Sequence, residues 1–213
     1  VAVDSGTRAL EFSLRGLGIG DGDVVVTTPA SFIATANAVV HTGATPVFVD
    51  VSLDTYTIDI SALEQKVEEL AKKEIEIDAV MPVHLYGYPV DVNASLGIVG
   101  DTPIVADTCQ AHGASLNGEK AGSMADAAGF SFYPSKNMTV AGDGGIITTD
   151  DEDVAEMAMR LRDVGRGDGE YAHDIIGYTA RLPTIAAAIG NVQLNRLDEW
   201  NERRREIAAQ YTE

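Results

Sequence analysis

Phe130-Ser131-Phe132-Tyr133-Pro134-Ser135-Lys136-Asn137, followed by Gly142-Asp143-Gly144-Gly145 and Ile146-Ile147-Thr148-Thr149, is the stretch around which the rest of the chain is organised. It predicts a short buried strand, a turn forced by Pro134, and a glycine hairpin that returns into a second strand. Lys136 falls in that turn, near a strand end and flanked by small or polar residues, where its amine can be aimed into a cleft instead of splayed into water. A lysine amine is nucleophilic only when deprotonated, and partial desolvation lowers its pKa. Most loop lysines are simply solvated. Lys136 therefore gains meaning only from the residues that join it.

Outward from the hairpin, strands and helices alternate. Val1-Ala2-Val3 and then Asp4-Ser5-Gly6-Thr7 read as a strand end turning into a helix over 8–17. A buried strand follows over 23–28, then a helix over 31–42 capped by Ser31 and a strand over 45–51. The amphipathic helix over 61–73 opens on the capping box Ser61-x-x-Glu64. Strands over 78–83 and 103–107 flank a short helix over 94–99. Beyond the hairpin come a helix over 151–164, a glycine-rich loop over 165–177, and one or two helices over 183–211. This alternation predicts an α/β layer fold, with a mostly parallel sheet and helices on both faces. In such sheets ligands sit at the carboxyl ends of the strands. Ser5-Gly6-Thr7, Asp107 and the Lys136 turn all lie at or just past such ends.

Composition narrows the function classes. With 213 residues, 45% of them hydrophobic, the chain can bury a substantial core. The absence of an apolar run of roughly 18 residues excludes a helical membrane span. One cysteine excludes internal disulfides and suits a cytoplasmic protein. Asp and Glu number 33 against 15 Lys and Arg, a net charge of -18. Nucleic acid is therefore an unsuitable partner, because neutralising phosphates needs basic surface. So acidic a surface repels itself at low ionic strength and is tolerated where salt screens it, which points to a halophilic protein.

The chemistry lies in a set of residues, each ordinary by itself. Ser5-Gly6-Thr7 is a small turn that opens a helix, and such a turn presents unpaired N–H groups and a positive dipole end to an anion. It is no P-loop, because Gly-Lys-Ser/Thr is missing. Gly16-x-Gly18-x-Gly20 is no dinucleotide fingerprint, because it follows a helix. Asp107 ends the apolar strand Ile104-Val105-Ala106, where a carboxylate can hold a cationic ring nitrogen, and Gln110 three residues on can contact a ring hydroxyl. Ser131, across the Pro134 turn from Lys136, can reach the same phosphate as the helix start. Cys109-x-x-His112 with His84 lacks the spacing of a zinc site; His84 either lines the cleft or is a bonded strand-end histidine. A lysine for an aldehyde, a carboxylate for a pyridine nitrogen and a helix start with hydroxyls for a phosphate together suit pyridoxal 5'-phosphate.

At these residues the chain resembles the DegT/DnrJ/StrS family of pyridoxal-phosphate-dependent sugar aminotransferases. The matching segments run almost end to end: 5–10, Pro29-Ala30-Ser31-Phe32-Ile33-Ala34-Thr35-Ala36-Asn37, 43–50, Pro82-Val83-His84-Leu85-Tyr86-Gly87, 107–114, 130–137 and 142–145. The resemblance implies an aspartate-aminotransferase-like (type I) fold and a homodimer with active sites shared at the subunit interface. It implies that Lys136 bonds to the cofactor aldehyde and later shuttles protons. Asp107 would pair with the pyridinium nitrogen, Gln110 would contact the phenolic oxygen, and Phe32 would stack on the ring. The Gly6, Thr7 and Arg8 backbone, the Thr7 hydroxyl and Ser131 would hold the phosphate. Thr179 stands where the family commonly has an asparagine that reaches the neighbouring subunit's phosphate. Residues 1–213 read as the family's large domain, without its leading segment and its C-terminal small domain.

The activity so implied moves an amino group from an amino acid, glutamate foremost, to a keto group on a nucleotide-linked sugar. Arg8 and Arg181 are further anion contacts or else solvated arginines. A sugar dehydratase or deoxygenase of the same family would carry histidine in place of Lys136. A non-catalytic, cofactor-binding regulatory protein on this scaffold would not need Lys136, Asp107 and Gln110 together. A nicotinamide oxidoreductase fails for want of a glycine fingerprint.

Overall fold

The computed structural model describes residues 1–169 and 171–212. The strands are β1 (Ala2–Val3), β2 (Val24–Thr27), β3 (Thr45–Phe48), β4 (Ala79–Val80), β5 (Val105–Asp107), β6 (Ser115–Leu116), β7 (Glu119–Lys120), β8 (Ala127–Ser131) and β9 (Gly145–Thr148). The helices are α1 (Gly6–Gly16), α2 (Ala34–Thr42), α3 (Ile60–Lys72), α4 (Val92–Val99), α5 (Glu152–Arg162), α6 (Thr184–Leu194) and α7 (Leu197–Thr212). The expected 183–211 segment is thus two helices. The expected loop over 165–177 is irregular where described, with one bridge between Arg166 and His173, and Glu170 lies outside the described residues.

The single, mostly parallel sheet expected from the alternation is instead one parallel sheet and one mixed sheet. One runs β3-β2-β4 and is parallel throughout. The other runs β1-β9-β8-β5, with β5 and β8 parallel and β9 antiparallel to both β8 and β1. Two isolated parallel bridges, Val80 to Ile104 and Val83 to Asp107, tie the sheets together between β4 and β5. The antiparallel pairs have a local cause: the 131–145 connection reverses the chain, so β9 must return beside β8. The small hairpin β6–β7 was not expected from the sequence; its two-residue turn, Asn117-Gly118, has positive φ at both positions, as a tight hairpin requires.

Helices do cover both faces. Val25 of β2, Ala79 of β4 and Val105 of β5 pack with Leu10 and Leu14 of α1 and with Ala38 and Val39 of α2. The adjacent Val26, Val80 and Ile104 point the other way and pack with Leu63 and Leu70 of α3 and Val92 of α4. This is the period-2 alternation of a strand buried on both sides. Phe12 of α1 and Ala158 and Leu161 of α5 cover Val3 and Ile147, while Phe132, Met138 and Val140 meet Leu197 at the start of α7.

Two helix starts differ from expectation. α2 begins at Ala34 without a side-chain cap, because Ser31 turns its hydroxyl to Thr35 Oγ1 at 2.7 Å. α3 is capped by Asp59, whose carboxylate accepts from the Ala62 N–H at 2.8 Å, so the Ser61 capping box does not form. Asp59 starts the helix two residues before Ser61, which therefore falls inside the first turn instead of at its cap.

Candidate active site

One cleft, of about 460 Å³, gathers most of the residues singled out from the sequence: Gly6, Thr7, Phe32, Asp107, Gln110, Ser131 and Lys136 all line it. It opens at the carboxyl ends of β5 and β8 and at the amino end of α1, the place that α/β sheets reserve for ligands.

The anion end is built by close backbone approach. Ser5 caps α1 in an extended conformation and accepts the Arg8 N–H at 3.3 Å. Gly6 and Thr7 supply the two preceding N–H groups, which a helix start leaves without intrahelical acceptors. A Cβ on Gly6 would lie 2.5 Å from Ser131 Cβ, and one on Gly145 would collide with the Ser5 carbonyl. Glycine at both positions lets the start of α1 sit directly against the ends of β8 and β9. The donors of the turn and the Ser131 hydroxyl thereby face the same space.

Asp107 forms the opposite wall. It is 5% exposed, and its carboxylate is held from two sides: Oδ2 accepts from Thr35 Oγ1 at 2.6 Å and Oδ1 from the Cys109 N–H at 3.1 Å. Gln110 is oriented as well, because its Oε1 accepts the Tyr86 N–H at 2.9 Å. That bond depends on left-handed backbone at Tyr86 (φ 55°) and Gly87 (φ 85°). With the amide oxygen engaged, the NH₂ group is the half of the side chain left to donate to a ligand. Lys136 sits half-buried in the turn after β8, its N–H bonded to Tyr133 O at 2.8 Å. Phe32, at 68% exposure, stands at the mouth.

Arg8 and Thr179 do not line this cleft. The Arg8 N–H bonds to the Ser5 hydroxyl. Its side chain pairs with the buried Glu11 and lies 4.3 Å from the centre of the Tyr178 ring. Thr179 is exposed and bridges Asp163, while Arg181 pairs with Asp163. Sequence reasoning missed Thr35 as a site residue and read Ser31 only as a cap, yet both line the cleft. Their i, i+4 spacing at the start of a helix was the available signal.

His84 is a bonded strand-end residue, fully buried, whose Nδ1 accepts the Val90 N–H at 2.9 Å. His112 packs against the rings of Phe130 and Phe132. Burial pushes both imidazoles down to about 4. Burial, reinforced by the Asp107 charge, holds the Cys109 thiol well above its usual range, so it is no nucleophile at neutral pH. Among the described residues no group of His, Cys, Asp and Glu is placed to hold a metal ion, and no helix is long and apolar enough to cross a membrane.

The two histidines give a pH dependence. An unfolded histidine titrates near ~6.5, so as pH falls from there toward 4 the unfolded chain takes up protons that the folded chain refuses. Stability is therefore full above about pH 6.5 and declines through that window, by on the order of 3 kcal/mol per ring. At about pH 5.5 both imidazoles are expected to be neutral by NMR while the urea midpoint has already dropped from its value at neutral pH. Rings half-protonated near ~6.5 would contradict this.

The donor set fits pyridoxal phosphate on grounds internal to the cleft: a twice-anchored buried carboxylate, an oriented amide, a lysine, and a helix start with an adjacent serine. Comparison with known proteins agrees. A model of the DegT/DnrJ/EryC1/StrS aminotransferase family matches residues 1–213. The chain is 41% identical over 213 residues to the dTDP-3-amino-3,4,6-trideoxy-alpha-D-glucose transaminase of Streptomyces venezuelae, covering 99% of this chain and 54% of that protein. It matches the crystal structure of a DegT DnrJ EryC1 StrS aminotransferase from Brucella abortus with a TM-score of 0.95 and 34% identity, over 99% of this chain and 57% of that one. It matches the PLP form of a Streptococcus pneumoniae sugar aminotransferase with a TM-score of 0.89 and 31% identity, over 100% of this chain and 58% of that one. The chain spans a little over half the length of these relatives and has their α/β fold. With a match along its whole length, the chain belongs to the DegT/DnrJ/EryC1/StrS aminotransferase family.

Proposed function

We propose that this chain is the cofactor-binding large domain of a pyridoxal-phosphate-dependent aminotransferase that moves an amino group, from glutamate foremost, to a nucleotide-linked keto sugar. The observation that carries the reading is the convergence of Lys136, Asp107 and Gln110 on one cleft closed by the start of α1. Bound pyridoxal phosphate supplies an electron-withdrawing ring that accepts the electron pair left when the donor amino acid loses its α-proton. The chain's own residues prepare that chemistry. Gly6 and Thr7 N–H groups with the Thr7 and Ser131 hydroxyls would bind the phosphate, and the dipole of α1 would favour its charge. Asp107 would hold the proton on the ring nitrogen, the Gln110 amide would donate to the ring oxygen, and Phe32 would cover a ring face. The Lys136 amine would serve as the base that takes the α-proton and as the acid that gives it back. Lys136, where the family's dehydratases carry histidine, favours amino transfer over dehydration.

Thr179 would serve the phosphate of a neighbouring subunit, in keeping with its place outside this chain's own cleft. Exposed Phe32, Ile33, Tyr86 and Tyr133 suit burial against a second copy in a cytoplasmic, salt-adapted homodimer. Sedimentation at low and high salt tests that setting: the dimer is expected to loosen as salt falls, and sedimentation that does not change with salt would refute it. The activity is tested by offering ¹⁵N-glutamate and a panel of nucleotide-linked keto sugars. Label is expected in an amino-sugar product with formation of 2-oxoglutarate, and failure of every donor and acceptor pair to exchange nitrogen would overturn the reading.

A further inference from the structure

We infer that Ser31 and Thr35 form a two-hydroxyl relay that positions Asp107 against the ring nitrogen; the inference rests on the cofactor reading above. Thr35 is 2% exposed, and its Oγ1 lies 2.6 Å from Asp107 Oδ2 and 2.7 Å from Ser31 Oγ. The direction of both bonds follows from a count of protons. An ionised carboxylate can only accept, and a hydroxyl has a single proton to give, so Thr35 donates to Asp107 and Ser31 donates to Thr35. Both dipoles point at the carboxylate, and chained bonds of this kind polarise one another in a low-dielectric site.

Local structure favours the assignment over simple packing. A threonine inside a helix commonly bonds back to the carbonyl one turn earlier. Thr35 instead reaches 72 residues along the chain to the end of β5, and Ser31 gives up the cap of α2 to follow it. The Cys109 N–H anchors the other oxygen, so the carboxylate has no rotational freedom left. The titratable groups facing Asp107 are His84 from the segment after β4, Cys109 in the following turn and Lys136 from the turn after β8. None of these is altered by changes at Thr35 or Ser31.

The test compares Thr35→Val, Thr35→Ser and Ser31→Ala holoenzymes with wild type by the pH dependence of the visible absorbance of the lysine-linked cofactor. A carboxylate free to turn away from the ring nitrogen no longer stabilises the ring proton, and the loss of that positive charge near the linking nitrogen makes that nitrogen titrate at higher pH. For Thr35→Val the midpoint is expected to rise by about one pH unit and kcat to fall about tenfold with little change in KM. Thr35→Ser, which keeps the hydroxyl, restores the wild-type midpoint, and Ser31→Ala shifts it part of the way. An unshifted Thr35→Val midpoint overturns the relay, whatever the variant's stability. Should Thr35→Val not fold, Ser31→Ala decides: an upward shift supports the relay and no shift overturns it. A wild type that takes up no pyridoxal phosphate overturns this inference and the functional reading together. A yellow wild type with unshifted variants overturns the relay alone.

Discussion

Replacing Lys136 with alanine is expected to abolish reductive trapping of the cofactor and to lower turnover by about 10³-fold or more, since the variant loses both its covalent tether and its proton carrier. The cleft would still bind pyridoxal phosphate, because the helix start, Ser131, Asp107 and Gln110 remain in place. The predicted signature is therefore specific: cofactor absorbance that survives gel filtration only partly, shifted to that of the free aldehyde, with no label after borohydride. Lys136→Arg should fail in the same way, because a guanidinium stays protonated at every working pH and cannot attack an aldehyde. A Lys136→Ala enzyme with more than about a tenth of wild-type turnover would remove the residue from the chemistry.

The second large effect is expected at Asp107. Asp107→Asn keeps the size of the side chain and one of its two accepted bonds, yet it loses the charge that stabilises a protonated ring nitrogen. Turnover should fall by about 10² to 10³, the cost of losing a preorganised electrostatic group in a sheltered site, while cofactor is retained. The hydroxyl of Thr35 would then face a neutral amide, and the bond it donates at 2.6 Å in the native protein would lengthen. Near-normal turnover in Asp107→Asn would remove the role assigned to the carboxylate.

The glycines and prolines made much of this legible in the sequence. The hairpin around Lys136 was readable because Gly145 has no room for a Cβ and Pro134 cannot continue a strand. The position of Asp107 was readable because the apolar run Ile104-Val105-Ala106 must end where the strand leaves the core. Partners brought together from far along the chain were not legible. The pairing of β1 with β9 links Ala2 to Ile146, and no local period carries that information. The Thr35 bond to Asp107 is hidden in the same way. The helix caps were misread for a different reason: Ser31 and Ser61 each carry a valid capping signal, and the surroundings decided against both. Asp59 occupied one cap first, and Asp107 drew Thr35, and with it Ser31, away from the other.

The most direct measurement is peptide mapping of the holoprotein after borohydride reduction. The mass of a reduced pyridoxyl phosphate group is predicted on the peptide that contains Lys136 and on no other. Its appearance on any of the remaining lysines, Lys66, Lys72, Lys73 or Lys120, or its absence from a yellow protein, would contradict the account.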